Sequence, residues 1–105
     1  MDGLGAMRVA AIDIGTNTVL LLIAEVQGDR LLPLHQEQRF GRLGQGVERS
    51  GRLQEAAVER VLRILRDYAR QGRAWGAERI GAVATSAVRE ASNPEELLDR
   101  AWQEL

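Results

Sequence analysis

The chain has 105 residues, of which 45% are apolar and 28% charged, and its formal net charge is -1. These values are typical of one soluble domain or part of one, and they favour neither nucleic acid nor an acidic membrane surface as a partner. With no cysteine and no lysine, the chain excludes disulfides, thiolate metal sites, Schiff-base chemistry and the lysine-dependent Walker A phosphate loop. It has no apolar run of the roughly 18 residues that a membrane span needs. Residues 1–7 lack the basic stretch and apolar core of a secretory signal, so we expect a cytoplasmic protein. Residues 1–6 are expected to form a short flexible lead-in.

Three β-strands are predicted between residues 8 and 39. Arg8–Ile14 is a nearly continuous apolar run, which is typical of a central strand buried on both faces. A turn over residues 15–18 separates it from a second apolar strand, Val19–Val26. The pair Gly28-Asp29 is typical of a hairpin and leads into a third, more polar strand, Arg30–Arg39.

A long amphipathic helix is predicted after a glycine-rich loop. The loop, Phe40–Gly51, contains four glycines. From Leu53 to about Arg70 the apolar residues recur with the period of a helix, with Ser50 as the predicted N-cap and Gly72 as the stop. The predicted apolar face consists of Val58, Val61, Leu62, Leu65, Tyr68 and Ala69.

The last part of the sequence predicts a fourth strand and two helical segments. Arg79–Thr85 is a short apolar run that favours a buried strand, and Ser86–Ala91 predicts a helical turn. A capping residue, a proline and two acids in succession, Asn93–Glu96, are typical of a helix start. That helix has no stop, so we expect a chain truncated from a longer one. Its predicted apolar face is Leu98, Ala101, Trp102 and Leu105.

The order of elements, βββαβα, predicts an α/β fold with a mixed sheet and helices packed on it. The single histidine, His35, does not provide a metal cluster, and we interpret it as a surface residue. Trp75 and Trp102 are interpreted as packing residues. Arginine and glutamate on the long helix are interpreted as a solvated face.

The first candidate functional segment is the turn at the end of the predicted central strand. Ligands in open α/β sheets bind at the carboxyl ends of the strands. Gly15 allows the backbone to approach a ligand closely. The hydroxyls of Thr16 and Thr18, the Asn17 amide and successive backbone N–H groups suit phosphate oxygens. Asp13 repels phosphate and suits a hydrated Mg²⁺ or a water molecule. The alternative is a tight β-turn, in which these residue types are common.

The second candidate follows the fourth predicted strand. If that strand is parallel to the first, the two segments lie at the same edge of the sheet. Thr85 and Ser86 offer hydroxyls at the start of a helix. Arg89 suits a bidentate contact with phosphate. The alternative is that the hydroxyls only cap the helix and that Arg89 is solvated.

The third candidate is Arg39–Gly46, where glycines and arginines alternate with other residues. Such a composition suits a mobile loop that faces phosphate. It also suits a simple connector between a strand and a helix, which is the interpretation we favour from the sequence.

These three segments, in this order, resemble the N-terminal part of the exopolyphosphatase/guanosine-pentaphosphate phosphohydrolase family. The matching stretches are Ala11–Thr18, Arg39–Gly46 and Ala84–Ala91, and the resemblance extends over Arg8–Leu105. The first stretch alone also resembles turns in actin, Hsp70 chaperones and sugar kinases. The first and last stretches together are more specific.

The resemblance implies an actin-like ATPase-superfamily fold with a ribonuclease-H-like core, in which residues 7–105 form the N-terminal part of the phosphatase domain. It implies hydrolysis of phosphoanhydride bonds in polyphosphate or guanosine pentaphosphate, with Mg²⁺, which Asp13 would help to place. The phosphate-binding roles of the family would fall on Gly15, Thr16, Asn17, Thr18 and Arg89.

The general-base glutamate of the family is expected beyond Leu105, and Glu90 does not match it. We therefore expect no catalytic residue in this chain, no turnover by the chain alone, and a homodimer for the full-length protein. Two alternatives stay open on the sequence: an ATP-dependent sugar or acetate kinase of the same superfamily, and a non-catalytic module that binds phosphate or nucleotide.

Overall fold

The structure is a computed structural model that describes residues 6–84 and 86–105, with only the backbone described at residues 86 and 87. It contains a four-stranded sheet and four helices within that range. The strands are β1 (Ala6–Ile14), β2 (Thr18–Gln27), β3 (Arg30–Phe40) and β4 (Arg79–Ala84). The helices are α1 (Val47–Ser50), α2 (Glu55–Ala74), α3 (Ser86–Glu90) and α4 (Glu95–Glu104).

The sheet is mixed, as predicted, with the strand order β3-β2-β1-β4. β2 pairs antiparallel with both β1 and β3, whereas β4 runs parallel to β1. In the parallel pair Asp13 is opposite Val83 and Ile14 is opposite Ala84. The segments that follow β1 and β4 therefore leave the sheet at the same edge, which confirms the predicted placement of the first two candidate segments.

The core lies between α2 and one face of the sheet. Strand side chains alternate between two faces, and on the covered face Ala10, Ile12 and Ile14 of β1 are at most 3% exposed. From α2 the residues of the predicted apolar face meet them. Those buried helical residues are Val58, Val61, Leu62, Leu65, Tyr68 and Ala69.

The other face of the sheet is not covered by the described helices. Ala11 is exposed, and Val83 in β4 is 63% exposed. The predictions that β1 is buried on both faces and that β4 is a buried strand are therefore wrong for the described chain. An apolar run indicates that a strand is covered by other parts of the protein. In the described part of the chain, however, helices pack on only one face of the sheet.

Two predicted ends of the long helix are also wrong. Gln54, not Ser50, is the N-cap of α2, because Ser50 ends the short helix α1 inside the glycine-rich segment. Gly72 lies inside α2, where an added Cβ would lie 3.3 Å from Ile80 Cδ1 and 3.4 Å from Ala10 Cβ. Glycine at this position permits the close approach of helix and sheet rather than ending the helix.

The predicted apolar face of α4 is confirmed at Ala101 and Leu105, which pack in or against the core, and is wrong at Leu98 and Trp102. Leu97 is fully buried and Ala101 is 7% exposed, whereas Leu98 is 46% and Trp102 84% exposed. The packing role predicted for Trp102 is therefore wrong in the described chain. Just before this helix, Asn93 is hydrogen-bonded to the segment that precedes α2.

Asn93 is a buried polar residue, only 3% exposed, that joins the starts of two helices. Its Oδ1 accepts from the Leu53 backbone N–H at 2.8 Å, and its Nδ2 donates to the Leu53 carbonyl at 3.2 Å. Nδ2 also donates to Glu96 Oε2 at 2.9 Å. One amide side chain thus satisfies both backbone groups of Leu53.

Replacing Asn93 by alanine should lower the free energy of unfolding by about 1–2 kcal/mol, because both buried backbone groups of Leu53 lose their partner. Urea denaturation of Asn93→Ala measures the change. Ser92→Ala, at the exposed neighbouring position, is the control and should stay near the wild-type midpoint. Equal midpoints for the two variants would contradict this role of Asn93.

Of the predicted N-terminal lead-in, residues 1–6, only Ala6 is described, and it is the first residue of β1. Residues 1–5 lie outside the described residues, as does Thr85 of the second candidate segment. Among the described helices, none has the length and apolar character needed to cross a membrane.

Candidate functional site

The β1–β2 connection is a closed turn. The Gly15 N–H donates to the Thr18 carbonyl at 2.8 Å, so this amide is not available as one of the predicted phosphate donors. This bond makes the connection tight, but it runs opposite to the carbonyl-to-N–H bond of a β-turn. Asn17, at the tip of the turn, is exposed, and Thr16 and Thr18 are half-buried beside it. The predicted phosphate contacts of these side chains stay predictions.

The segment after β3 packs directly against this turn. The Arg42 N–H donates to the Asn17 carbonyl at 3.0 Å, and the Gly44 N–H donates to the Thr16 carbonyl at 2.9 Å. The segment does connect a strand to a helix, as predicted. It also holds the turn in place, because the backbone carbonyls of Thr16 and Asn17 accept hydrogen bonds from it.

The contact between the turn and the loop after β3 depends on backbone geometry that few residue types permit. Arg42 has φ of 50°, in the left-handed region that non-glycine residues rarely adopt. A Cβ added at Gly44 would fall well inside contact distance of Thr16 Cγ2. The absence of a side chain at Gly44 therefore sets how closely the loop approaches the turn.

A cleft of about 900 Å³ opens where the two loops meet. The turn contributes Thr16 and Asn17 to its wall. The remaining wall comes from β3, the following loop, α1 and the end of α3. It includes two basic residues, Arg42 and Arg49, and two acidic residues, Glu48 and Glu90.

The second candidate segment reaches this cleft through a residue that was not predicted. Arg89 is exposed in the last turn of α3, and its neighbour Glu90 is the α3 residue that lines the cleft. Thr85 lies outside the described residues, and the Ser86 side chain is not described. The phosphate role of Arg89 therefore stays a prediction, made at a position one residue away from the cleft wall.

Asp13 lies on the uncovered face of the sheet. It lines a hollow of about 950 Å³ together with Leu20 and Val83, next to but not within the cleft wall described above. Its Oδ1 is buried, and it is the only buried side-chain N or O atom found without a hydrogen-bond partner in the described part of the chain. Such an atom is costly unless a donor or a cation satisfies it.

A model of the Ppx/GppA phosphatase family matches residues 22–105 of the chain, most of its length. The chain belongs to the Ppx/GppA phosphatase family. The predicted family is thereby confirmed, including the correspondence of this chain to the N-terminal part of the family's proteins. The alternative of a sugar or acetate kinase is not supported.

Relatives and solved structures agree with this membership. Exopolyphosphatase 2 of Mycobacterium tuberculosis is 47% identical over 90 residues, which are 82% of this chain and 28% of that protein. The Ppx/GppA family member of Aquifex aeolicus superposes with a TM-score of 0.88 at 40% identity, over 94% of this chain and 32% of that one. An exopolyphosphatase from Cytophaga hutchinsonii gives 0.86 at 35% identity, over 93% and 31%. The chain thus spans about a third of the length of these relatives.

The Ppx/GppA solved structures confirm the predicted actin-like ATPase-superfamily fold. Several finer predictions are untested by the fold and the family. They are the preference for polyphosphate or guanosine pentaphosphate, the Mg²⁺ ion, the cytoplasmic location and the homodimer. Within the described residues no group of three His, Cys, Asp or Glu is placed to hold a metal ion.

One structural residue of the site was missed by sequence reasoning. Arg60 of α2, half-buried, donates from Nε to the Gly41 carbonyl at 2.7 Å and from Nη2 to Gln45 Oε1 at 2.9 Å. On the sequence it is one of several arginines on the polar face of a helix. No local pattern distinguishes it from the solvated ones.

Proposed function

We propose that the parent protein of this Ppx/GppA chain hydrolyses phosphoanhydride bonds in polyphosphate or guanosine pentaphosphate. The present chain supplies one phosphate-binding wall of the active site. The observation that carries the proposal is the cleft in which a Thr-Asn turn and an arginine-bearing loop are hydrogen-bonded to each other. The exopolyphosphatases among the similar proteins support the choice of polyphosphate.

In this proposal the side chains of the turn contact the phosphate oxygens. The Asn17 amide and the Thr16 and Thr18 hydroxyls donate hydrogen bonds. Arg42 and Arg49 line the same cleft and offset the charge of successive phosphate groups. Arg89 adds a guanidinium from α3, whose start lies just past the strand that pairs with β1.

Asp13 fits a role in holding Mg²⁺. The buried Oδ1 without a partner is a hard oxygen donor at the end of β1. Mg²⁺ sites commonly use one or two carboxylates together with water and substrate phosphate oxygens. The bound ion supplies charge neutralisation on the phosphate. Asp13 would hold the ion indirectly, through water, because Asp13 lies on the uncovered face of the sheet and not in the wall of the cleft.

Hydrolysis requires water to attack the phosphorus of a phosphoryl group while the bridging P–O bond breaks and the leaving phosphate departs. A base must accept the proton of that water. The proposal assigns no such base to this chain, so the chain alone should bind polyphosphate without releasing phosphate. This separates its binding role from the activity of the parent protein.

Titration of the 105-residue chain with polyphosphate, with and without Mg²⁺, tests the proposal by amide chemical shifts. We expect shifts concentrated at Asn17, Arg42 and Gly44. Asn17→Ala should weaken binding about tenfold, which is the loss of about 1.4 kcal/mol from one hydrogen bond to an anion. Gln27→Ala removes an exposed amide from the far end of β2 and should leave the affinity unchanged.

Two outcomes would count against the proposal. One is the absence of shifts at the cleft in the wild-type chain at low salt. The other is equal loss of affinity in Asn17→Ala and Gln27→Ala, which would indicate diffuse electrostatic attraction. In a gene product that carries this chain with the remaining two thirds of the family's length, Arg89→Ala should slow polyphosphate hydrolysis. An unchanged rate would remove Arg89 from the site.

A further inference from the structure

Arg60 makes an unusual set of contacts for a helical surface arginine. Its Nε donates to the Gly41 carbonyl at 2.7 Å, and its Nη2 donates to the Arg42 carbonyl at 3.3 Å and to Gln45 Oε1 at 2.9 Å. All three acceptors belong to the loop that follows β3. The planar guanidinium thus spans this loop from one rigid helix, as its forked geometry allows.

The same loop faces the turn through its other backbone groups. While the carbonyls of Gly41 and Arg42 accept from Arg60, the N–H groups of Arg42 and Gly44 donate to Asn17 and Thr16. The loop is therefore held between α2 on one side and the turn on the other. Arg42 is the residue at the centre, and it is kept in the left-handed region at φ of 50°.

We propose that Arg60 is a positioning residue for the phosphate-binding cleft. By fixing the backbone of the Gly41–Gln45 loop, it holds the Arg42 guanidinium in the cleft wall and the turn in its binding geometry. This inference rests on the proposed function for the part that concerns phosphate. The part that concerns the loop rests on the hydrogen bonds alone.

Burial supports a positioning role rather than a direct one. Arg60 is half-buried and does not belong to the lining of the cleft, whereas Arg42 is exposed and does. Gly41, which precedes Arg42 in the chain, is buried. An added Cβ at Gly41 would lie 2.8 Å from Val61 Cγ2 and 2.9 Å from Val19 Cγ2. Gly41 is thus anchored in the core by packing. Arg60 adds polar contacts along the loop, to the carbonyls of Gly41 and Arg42 and to the side chain of Gln45.

The test compares Arg60→Ala with Arg63→Ala in the 105-residue chain. Arg63 is exposed on the same helix, so both variants remove one arginine and change helix propensity equally. Hydrogen exchange of the Arg42 and Gly44 amides measures local opening of the loop, and exchange of β1 amides measures global stability. Polyphosphate affinity is measured on the same samples.

We expect Arg60→Ala to speed exchange at Arg42 and Gly44 by about tenfold, through local opening, without a comparable change in β1. Polyphosphate affinity should fall about fivefold or more, since a mobile loop must be ordered on binding. Arg60→Lys keeps the charge but lacks the fork, so it should recover only part of both effects. Arg63→Ala should show neither effect.

The outcomes are separable. Unchanged exchange at Arg42 and Gly44 in Arg60→Ala would overturn the positioning role. Faster exchange with an affinity equal to that of Arg63→Ala would also overturn it, because the loop position would then not matter for binding. If wild-type protein shows no polyphosphate binding, the proposed function fails. Exchange at the two amides would still decide whether Arg60 holds the loop.

Discussion

Replacing Tyr68 by alanine should lower the free energy of unfolding by about 3–5 kcal/mol, the range found for large aromatic residues removed from protein cores. Tyr68 lies in α2, is fully buried, and is among the largest such side chains in the core. Its hydroxyl donates to the Val19 carbonyl at 2.8 Å. Alanine would leave a cavity and would remove the hydrogen bond to the Val19 carbonyl.

The contact also connects the core with the turn. Val19 immediately follows Thr18 and pairs with Ile14, so it lies in the first pair of strand residues beside the turn. Burial raises the pKa of Tyr68 to about 12, so the hydroxyl stays protonated and can donate at neutral pH. Loss of Tyr68 should therefore loosen the turn as well as destabilise the fold.

Urea denaturation of Tyr68→Ala and Tyr68→Phe separates the two contributions. Phenylalanine keeps the ring and loses only the hydrogen bond, so we expect a cost of about 1–2 kcal/mol. Trp102→Ala, at an aromatic residue that is 84% exposed, is the control and should change stability by less than about 0.5 kcal/mol. A Tyr68→Ala cost no larger than that of Tyr68→Phe would contradict the packing argument.

The elements with strong periodicity could be predicted from the sequence. On α2, Val61, Leu65 and Tyr68 recur at helical spacing because one stripe of that helix meets the sheet. The same physics explains the wrong prediction for α4. That helix is short, so a stripe through Leu98 and Trp102 fitted the helical period as well as one through Leu97, and only the structure shows that Leu97 is the buried residue.

The assembly of the cleft could not be predicted in the same way. The turn and the loop are joined through backbone groups, such as the Gly44 N–H and the Thr16 carbonyl. Every residue type carries these groups, so the sequence holds no pattern that reveals their pairing. Arg60 is hidden for a related reason, because its partners are mostly backbone carbonyls nearly twenty residues away along the chain.

The placement of the first two candidate segments was predictable because it depends on strand direction alone. Parallel pairing of β1 with β4 brings their carboxyl ends to one edge. The sequence did not reveal which side chain of α3 would face the cleft. The short helix places Glu90 in the wall and leaves Arg89 exposed beside it. That difference of one residue depends on the phase of the helix, which the apolar pattern of a five-residue helix does not define.

Replacing Gly44 by alanine should lower polyphosphate affinity at least about tenfold and stability by about 1–3 kcal/mol, the usual cost of forcing an extra carbon into a packed contact. The new Cβ would meet Thr16 Cγ2, while its distance to the Thr16 carbonyl oxygen would be an ordinary 3.6 Å. The clash therefore involves one methyl group. It should push the loop away from the turn and weaken the hydrogen bond between the Gly44 N–H and the Thr16 carbonyl.

Because the obstacle is a single methyl group, a second substitution should relieve it. Thr16→Ser removes Cγ2 and keeps the hydroxyl that is proposed to contact phosphate. The double variant Gly44→Ala/Thr16→Ser should therefore recover most of the stability and affinity lost in Gly44→Ala, and the double-mutant cycle measures this coupling directly. Gly81→Ala is the control, since an added Cβ there has no atom within 4 Å. If the double variant were as impaired as the sum of the single ones, the close approach of loop and turn would not be what Gly44 provides.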